Sequence, residues 1–205
     1  MRATTLVLLA KAPVPGRVKT RLHAEFTPTE AAALASAAIE DTVRTIAATP
    51  AEHRLVALDG DAGSWLPSGF EVVPQPSGDL GTRLDAAVDA GFDRGGPVLL
   101  VGMDTPQLSL DVSFDGADAV LGPTDDGGFW AIGLRSRCAG AFDGVAMSTD
   151  RTGADQLARL ESLGLRVRLL HRLRDVDEPA DARTVALKYP DTTFAAAWRT
   201  FTVRR

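Results

Sequence analysis

Thr4-Thr5-Leu6-Val7-Leu8-Leu9-Ala10, followed at once by Lys11-Ala12-Pro13-Val14-Pro15-Gly16-Arg17-Val18-Lys19-Thr20-Arg21-Leu22, decides the fold class. The first part is an unbroken apolar run with β-prone residues, the pattern of a strand covered on both faces of a sheet. Lys11 and Pro13 end it. A run this short falls far below the roughly 20 apolar residues of a membrane helix, and no small-residue cleavage site follows it.

Working outward, Thr27, Pro28 and Glu30 supply the N-cap, N1 proline and N3 acid of a capping box, and Leu34, Ala38, Val43 and Ile46 continue at helical spacing before Pro50. Strands are expected over 54–58, 70–73 and 97–102, with a helix over 80–92 between the last two. Beyond these, 119–121 and 129–134 read as strands, 153–163 as a helix closed by Gly164, 165–170 as a strand, and 180–188 as a helix. A short helix over 194–201 carries Trp198 onto the body, and residues 202–205 are expected to fray. Strands alternating with helices imply a largely parallel sheet. The expected architecture is one α/β domain spanning residues 1–205, without repeat or linker.

Composition narrows the function. Of the 205 residues, 45% are hydrophobic and 24% charged, as in ordinary folded domains, which excludes disorder, collagen and coiled coil. At this length a single core buries roughly 70% of the surface of the unfolded chain without a metal or disulfide staple. The net charge of −5, with no basic block longer than Arg204-Arg205, argues against a nucleic-acid or acidic-membrane partner. The lone Cys138 has no Cys or His at zinc-ligand spacing, and a reducing cytoplasm fits it. A homodimer is left open.

In an open parallel sheet, ligands bind beyond the carboxyl ends of the strands. Three segments there carry unusual chemistry. The loop 11–22 places Lys11, Arg17, Lys19 and Arg21 directly after the first strand. A P-loop is excluded because Val14 and Val18 stand where its glycines belong, and no G-x-G-x-x-G follows the strand. What remains is a proline-stiffened loop whose Lys19 and Arg21 suit a diphosphate as point charge and fork, or else a solvated basic loop.

Gly102-Met103-Asp104-Thr105-Pro106 presents Asp104 at the end of a buried strand, either to Mg²⁺ or Mn²⁺ or as the cap of the next turn. Arg174-Asp175-Val176-Asp177-Glu178-Pro179-Ala180-Asp181 follows another strand and opens a helix. Asp177 and Asp181 are natural caps, while Asp177 or Asp175 is equally suited to supply a second metal carboxylate opposite Asp104.

Two glycine-bearing stretches add to these. Gln75, Gly81 and Thr82 lie where a planar base would approach backbone, or where a plain strand-to-helix turn would sit. Asp125-Asp126-Gly127-Gly128 reads as a close-approach site for a second ligand, or as a hairpin turn. His23, His53 and His171 lie in unrelated segments, and G-x-S-x-G is absent, so neither a histidine metal site nor a hydrolase nucleophile is supported.

Taken in chain order, 11–22, 78–83, 102–106, Leu121-Gly122-Pro123, Asp126-Gly127-Gly128 and Asp175-Val176-Asp177 resemble a bacterial family, DUF2064, of the nucleotide-diphospho-sugar transferase superfamily. The resemblance covers roughly residues 6–181. It implies a GT-A-like, Rossmann-type sandwich with a mostly parallel mixed central sheet, acting as a glycosyltransferase on a nucleotide sugar and a small hydroxyl acceptor. It further implies a nucleotide site at Ala10, Lys11, Pro13, Gly16, Lys19, Arg21, Gln75, Gly81, Thr82 and Arg83. Mg²⁺ or Mn²⁺ would lie on Asp104, with Asp175 and Asp177, and the acceptor near Asp125, Asp126, Gly127 and Gly128. Asp104, Asp126 and Lys19 would carry the chemistry. The segment 106–122 is shorter than in similar sequences, and Asp111, Gly116 and Asp118 weaken the helix expected there. Lys19-Thr20-Arg21-Leu22 is also similar to the early Lys-Ser-Arg-Leu of 2-phospholactate guanylyltransferases, which makes nucleotidylyl transfer the alternative. A nucleotide-binding module without catalysis is the reading from outside enzymology.

Overall fold

A computed structural model describes residues 3–203. Arg204 and Arg205, and with them the end of the segment expected to fray, lie outside the described residues. The strands are β1 (Thr5–Lys11), β2 (His53–Asp59), β3 (Glu71–Pro74), β4 (Val98–Gly102), β5 (Ala119–Pro123), β6 (Phe129–Leu134) and β7 (Val167–Leu169). The helices are α1 (Pro28–Ala48), α2 (Leu80–Phe92), α3 (Thr152–Ser162), α4 (Pro179–Lys188) and α5 (Thr193–Thr202), with a 3-10 turn at Thr20–Ala24.

The strands form one seven-stranded sheet in the order β3-β2-β1-β4-β6-β5-β7. β1 pairs in parallel with both β2 and β4, so that Leu8 lies beside Val56 on one side and Val101 on the other. Only β6 runs against its neighbours: it pairs antiparallel with β4 and with β5, while β7 pairs in parallel with β5. The sheet is therefore mostly parallel but mixed, as the sequence implied.

The continuous apolar runs now have their reason. Leu6, Leu8 and Ala10 of β1 pack on Ile39, Val43 and Ile46 of α1, whereas Val7 belongs to the opposite core with Leu84 and Val88 of α2. β4 divides likewise, Leu99 and Val101 to one side, Val98 and Leu100 to the other. A third cluster joins Leu34 of α1 to Val185 of α4 and Phe194 of α5, with Trp198 packed against it.

The capping box at α1 is formed: Thr27 Oγ1 accepts the Glu30 amide at 3.3 Å, and Glu30 Oε2 accepts the Thr27 amide at 2.8 Å. Where the family resemblance implied a weakened helix after Pro106, the chain has none. Leu108, Leu110, Val112 and Phe114 are instead buried at every second position against the β1 core, the burial rhythm of extended chain. β7 is shorter than the expected 165–170 because it is an edge strand whose neighbours on one side are absent from the sheet.

Since every strand but β6 points the same way, one edge collects the loop after β1, Gln75 after β3, Asp104 after β4, the β5–β6 hairpin and the segment after β7. The segments that carry the candidate residues meet at this edge.

Candidate functional site

The loop after β1 is shaped by its apolar residues. Val18 is buried in the core beside β1, and Leu22 is fully buried against α1 and α4. Between them Lys19 adopts a left-handed backbone (φ 48°, ψ 42°) at the start of the 3-10 turn. This conformation is costly for a residue with a Cβ, and such residues cluster at functional sites. The Lys19 side chain is only 7% exposed, its ammonium 2.5 Å from Asp104 Oδ1 and 3.2 Å from Asp177 Oδ1. It also donates to the Val176 carbonyl. Arg21 Nη1 lies 3.0 Å from Asp177 Oδ2 on the wetter side. Burial works against the Lys19 charge, but Asp104 and Asp177 outweigh it and raise its pKa, so the ammonium stays protonated.

The carboxylates are brought in from three elements. The Asp104 carbonyl accepts the Val176 amide at 2.8 Å, which stitches the segment after β7 to the end of β4. Asp126, in the hairpin, is oriented by Thr124 Oγ1 (2.5 Å) and the Gly128 amide (2.9 Å), both donating to its Oδ1. Asp126, Asp175 and Asp177 place carboxylate oxygens within 4.8 Å of one another. Asp104 falls outside this group, paired with Lys19, so Asp126 stands where the sequence suggested Asp104 as the companion of Asp175 and Asp177. Burial, then the charges of Asp126 and Asp177, push the Asp175 carboxyl up to about 7. A half-buried cluster of hard oxygen donors, one of them shifted by burial and by its neighbours' charges, suits a divalent cation such as Mg²⁺ or Mn²⁺.

Of the two acids that compete for capping, Asp181 does it: its Oδ2 accepts the Glu178 amide at the start of α4 at 3.0 Å. Asp177 is left to the site.

These groups line a cavity of about 650 Å³ at the carboxyl edge of the sheet. Of the candidate residues, Ala10, Lys11, Lys19, Arg21, Gln75, Arg83, Asp104, Asp126, Gly128, Asp175 and Asp177 reach it. Pro13, Gly16, Gly81, Thr82, Asp125 and Gly127 do not. Gly16 sits at the exposed tip of the loop, where its φ of +77° makes the turn. Thr82 serves the α2 cap, its amide and hydroxyl both bonded to Asp79 at 2.8 Å. Asp125 turns away to Arg174, 3.2 Å distant. Gly127 (φ +93°) does allow a close approach, but of the chain itself: a Cβ there would overlap the Asp150 backbone. Gln75 spends its amide hydrogens on the carbonyls of Ala10 and Ala57, both at 2.8 Å, closing the fork between β1 and β2.

The sequence gives no sign of one wall. Met147, Ser148, Thr149, Asp150 and Thr152 also line the cavity. The available signal was Ser148-Thr149-Asp150-Arg151-Thr152-Gly153 ahead of a helix, which reads locally as a cap and nothing more. Ser148 carries a positive φ of 60°. Among the described residues, this wall and the lining part of the hairpin (Thr124, Asp126, Gly128, Phe129, Trp130) carry carboxylates and hydroxyls but no Lys, Arg or His. All five cations of the lining, Lys11, Arg17, Lys19, Arg21 and Arg83, come from the loop after β1 and from α2.

The fold and this edge define a nucleotidyl- and sugar-nucleotide-transferase architecture, shared with known structures. A crystal structure from Desulfovibrio desulfuricans G20, provisionally described as a nucleotide-diphospho-sugar transferase, superposes with a TM-score of 0.88 at 26% identity, over 97% of this chain and 95% of the other. Rv0371c of Mycobacterium tuberculosis H37Rv, in its manganese complex, shares the fold at a TM-score of 0.51 and 18% identity, over 88% of this chain and 96% of the other. The 2-phospho-L-lactate guanylyltransferase of Halorubrum lacusprofundi is 34% identical over 175 residues, 80% of this chain and 77% of that protein. Residues 33–149 match the family described as "Uncharacterized protein conserved in bacteria (DUF2064)". The chain belongs to the DUF2064 family, and its relatives are transferases.

Proposed function

We propose that the protein is a divalent-cation-dependent glycosyltransferase that takes a nucleotide-diphospho-sugar and passes the sugar to the hydroxyl of a small acceptor. The observation that carries this reading is the origin of the lining groups: every Lys and Arg comes from the first loop and α2, while the hairpin and residues 147–152 supply carboxylates and hydroxyls. A diphosphate suits the first set, in which Lys19 and Arg21 offer charge and a planar fork. A neutral hydroxyl suits the second, because a phosphorylated acceptor would meet Asp126 and Asp150 with no Lys or Arg from those segments, unless the cation intervened. The sharing of one sheet by all the described strands supports reading the chain as a single domain.

Asp175 and Asp177, with Asp126 within 4.8 Å of them and Asp104 joined to Asp177 through Lys19, are the residues that would hold Mg²⁺ or Mn²⁺. When bound, the cation would supply charge neutralisation at the diphosphate oxygens. Lys19 and Arg21 bind the same phosphates and stabilise the nucleoside diphosphate as the anomeric C–O bond breaks. Asp126, whose Oδ1 is occupied by Thr124 and Gly128, offers Oδ2 to the acceptor hydroxyl and takes its proton.

Nucleotidylyl transfer is the second reading. It is favoured by the identity with the Halorubrum guanylyltransferase, which extends over four-fifths of this chain. A thermal-shift panel tests the assignment, with UDP-, GDP-, ADP- and dTDP-sugars set against nucleoside triphosphates, each with Mn²⁺ and with EDTA. The expected result is a rise in Tm with at least one nucleotide sugar that depends on Mn²⁺. A rise confined to triphosphates would promote the second reading.

A further inference from the structure

Both oxygens of Asp177 are already held by cations, Oδ1 by Lys19 at 3.2 Å and Oδ2 by Arg21 at 3.0 Å. The Lys19 ammonium has three N–H donors and no acceptor, and its three partners, Asp104, Asp177 and the Val176 carbonyl, use them all. Each ligand of the proposed reaction competes with this arrangement. A divalent cation at Asp177 would share an oxygen with Lys19 or Arg21 and lie against their positive charge, and a phosphate needs donors that Lys19 has committed to Asp104, Asp177 and the Val176 carbonyl.

The two exchanges repair each other. A phosphate that draws Lys19 away leaves Asp104 and Asp177 half-buried without a counter-ion, and a dication that displaces Lys19 leaves a buried ammonium unpaired. Breaking one side of such a pair is costly. Exchanging both partners together leaves every charge paired, the ammonium with phosphate and the carboxylates with the dication.

We infer that Lys19 is a resident counter-ion that couples the two ligands, so that a divalent cation enters the Asp104–Asp177 region tightly only as a nucleotide draws Lys19 onto its phosphates. This rests on the reading of the site as a cation-dependent nucleotide site. The coupling is reciprocal: whatever factor the nucleotide adds to cation affinity, the cation adds to nucleotide affinity. Arg21, 68% exposed, contributes less because water screens its pair.

The experiment measures Mn²⁺ affinity by the paramagnetic-resonance signal of free Mn²⁺, with no nucleotide present, for the wild type, Lys19→Met and Lys11→Met. Lys19→Met is expected to bind Mn²⁺ at least tenfold more tightly than the wild type. Lys11→Met removes the same charge from the same cavity, but its ammonium faces Asp59 at 3.9 Å, so a change of less than threefold is expected. Equal affinity in the wild type and Lys19→Met, or an equal gain in Lys11→Met, overturns the inference and leaves the proposed function standing. If no form binds Mn²⁺ or raises its Tm with any nucleotide, both are overturned. Should Lys19→Met not fold, Lys19→Gln decides in the same terms, through a larger Mn²⁺-induced rise in Tm than in the wild type.

Discussion

The amide of Gly153 donates to the carbonyl of Gly127 at 2.7 Å, joining the β5–β6 hairpin to the start of α3. Through this bond the wall 147–152 and the hairpin that carries Asp126 hold a fixed relation side by side in the cavity lining. Both glycines are required by contact: a Cβ on Gly127 would overlap the Asp150 backbone, and one on Gly153 would lie 2.5 Å from the Gly128 carbonyl oxygen.

Gly127→Ala is therefore expected to cost about 3 kcal/mol or more, from a positive φ combined with a backbone clash. Gly144→Ala is the comparison, since Gly144 also has a positive φ (+73°) but open space around it, and should cost about 1–2 kcal/mol. Thermal unfolding of the two variants checks this. Equal losses would mean that the hairpin does not lean on α3.

Asp175 gives the protein a specific pH response. Its carboxyl is raised to about 7 by burial and by Asp126 and Asp177, so between the ordinary carboxylate range and pH 7 the folded state holds a proton that the unfolded chain has lost. The metal-free protein should thus lose stability as pH rises through this window. Asp175→Asn should remove that loss, matching the wild type near pH 4 and exceeding it by about 2–4 °C in Tm at pH 8, the scale of a 1 kcal/mol effect in a chain of this size. Melting curves in EDTA from pH 4 to 8.5 read it directly. A wild type as stable as Asp175→Asn at pH 8 would show that the cluster carries no such strain.

How much of this was legible follows from the physics of each part. β1 and β4 were readable because both of their faces are covered, leaving no polar position to interrupt the run. α1 was readable because its capping box is local chemistry, complete within Thr27 to Glu30. The 3-10 turn at Thr20–Ala24 was not, since five residues are too few for a periodicity and the left-handed Lys19 ahead of it has no signature in its side chain. At the site, acids placed after strands were found because strand ends converge in a parallel sheet. The wall 147–152 was not, because it precedes a helix and reaches the cavity through the Gly127–Gly153 contact, which depends on a hairpin folded some 25 residues earlier. At Gly127 the sequence shows that space is needed, not what fills it: the Asp150 backbone lies there.

Asp41 offers a test of the scaffold away from the cavity. Its carboxylate is 4% exposed and accepts the amides of Thr193 and Phe194 at 2.9 and 2.8 Å, which fixes the start of α5 on α1. Asp41→Ala leaves these donors unpaired beside the α1–α5 core, at a cost of about 2–3 kcal/mol. The expected drop in Tm is about 5–10 °C, with nucleotide affinity unchanged below the transition. A drop of under about 2 °C would mean that α5 is held by its apolar face alone.

The central claim concerns which bond breaks, and phosphorus NMR of the products reports it. The purified protein is incubated with Mn²⁺ and nucleotide sugars, and separately with nucleoside triphosphates and a phosphorylated hydroxy acid. The account expects slow, cation-dependent release of nucleoside diphosphate from a nucleotide sugar, abolished in Asp126→Asn, and no pyrophosphate from any triphosphate. Pyrophosphate released from GTP in the presence of the phosphorylated acid would contradict it and establish nucleotidylyl transfer instead.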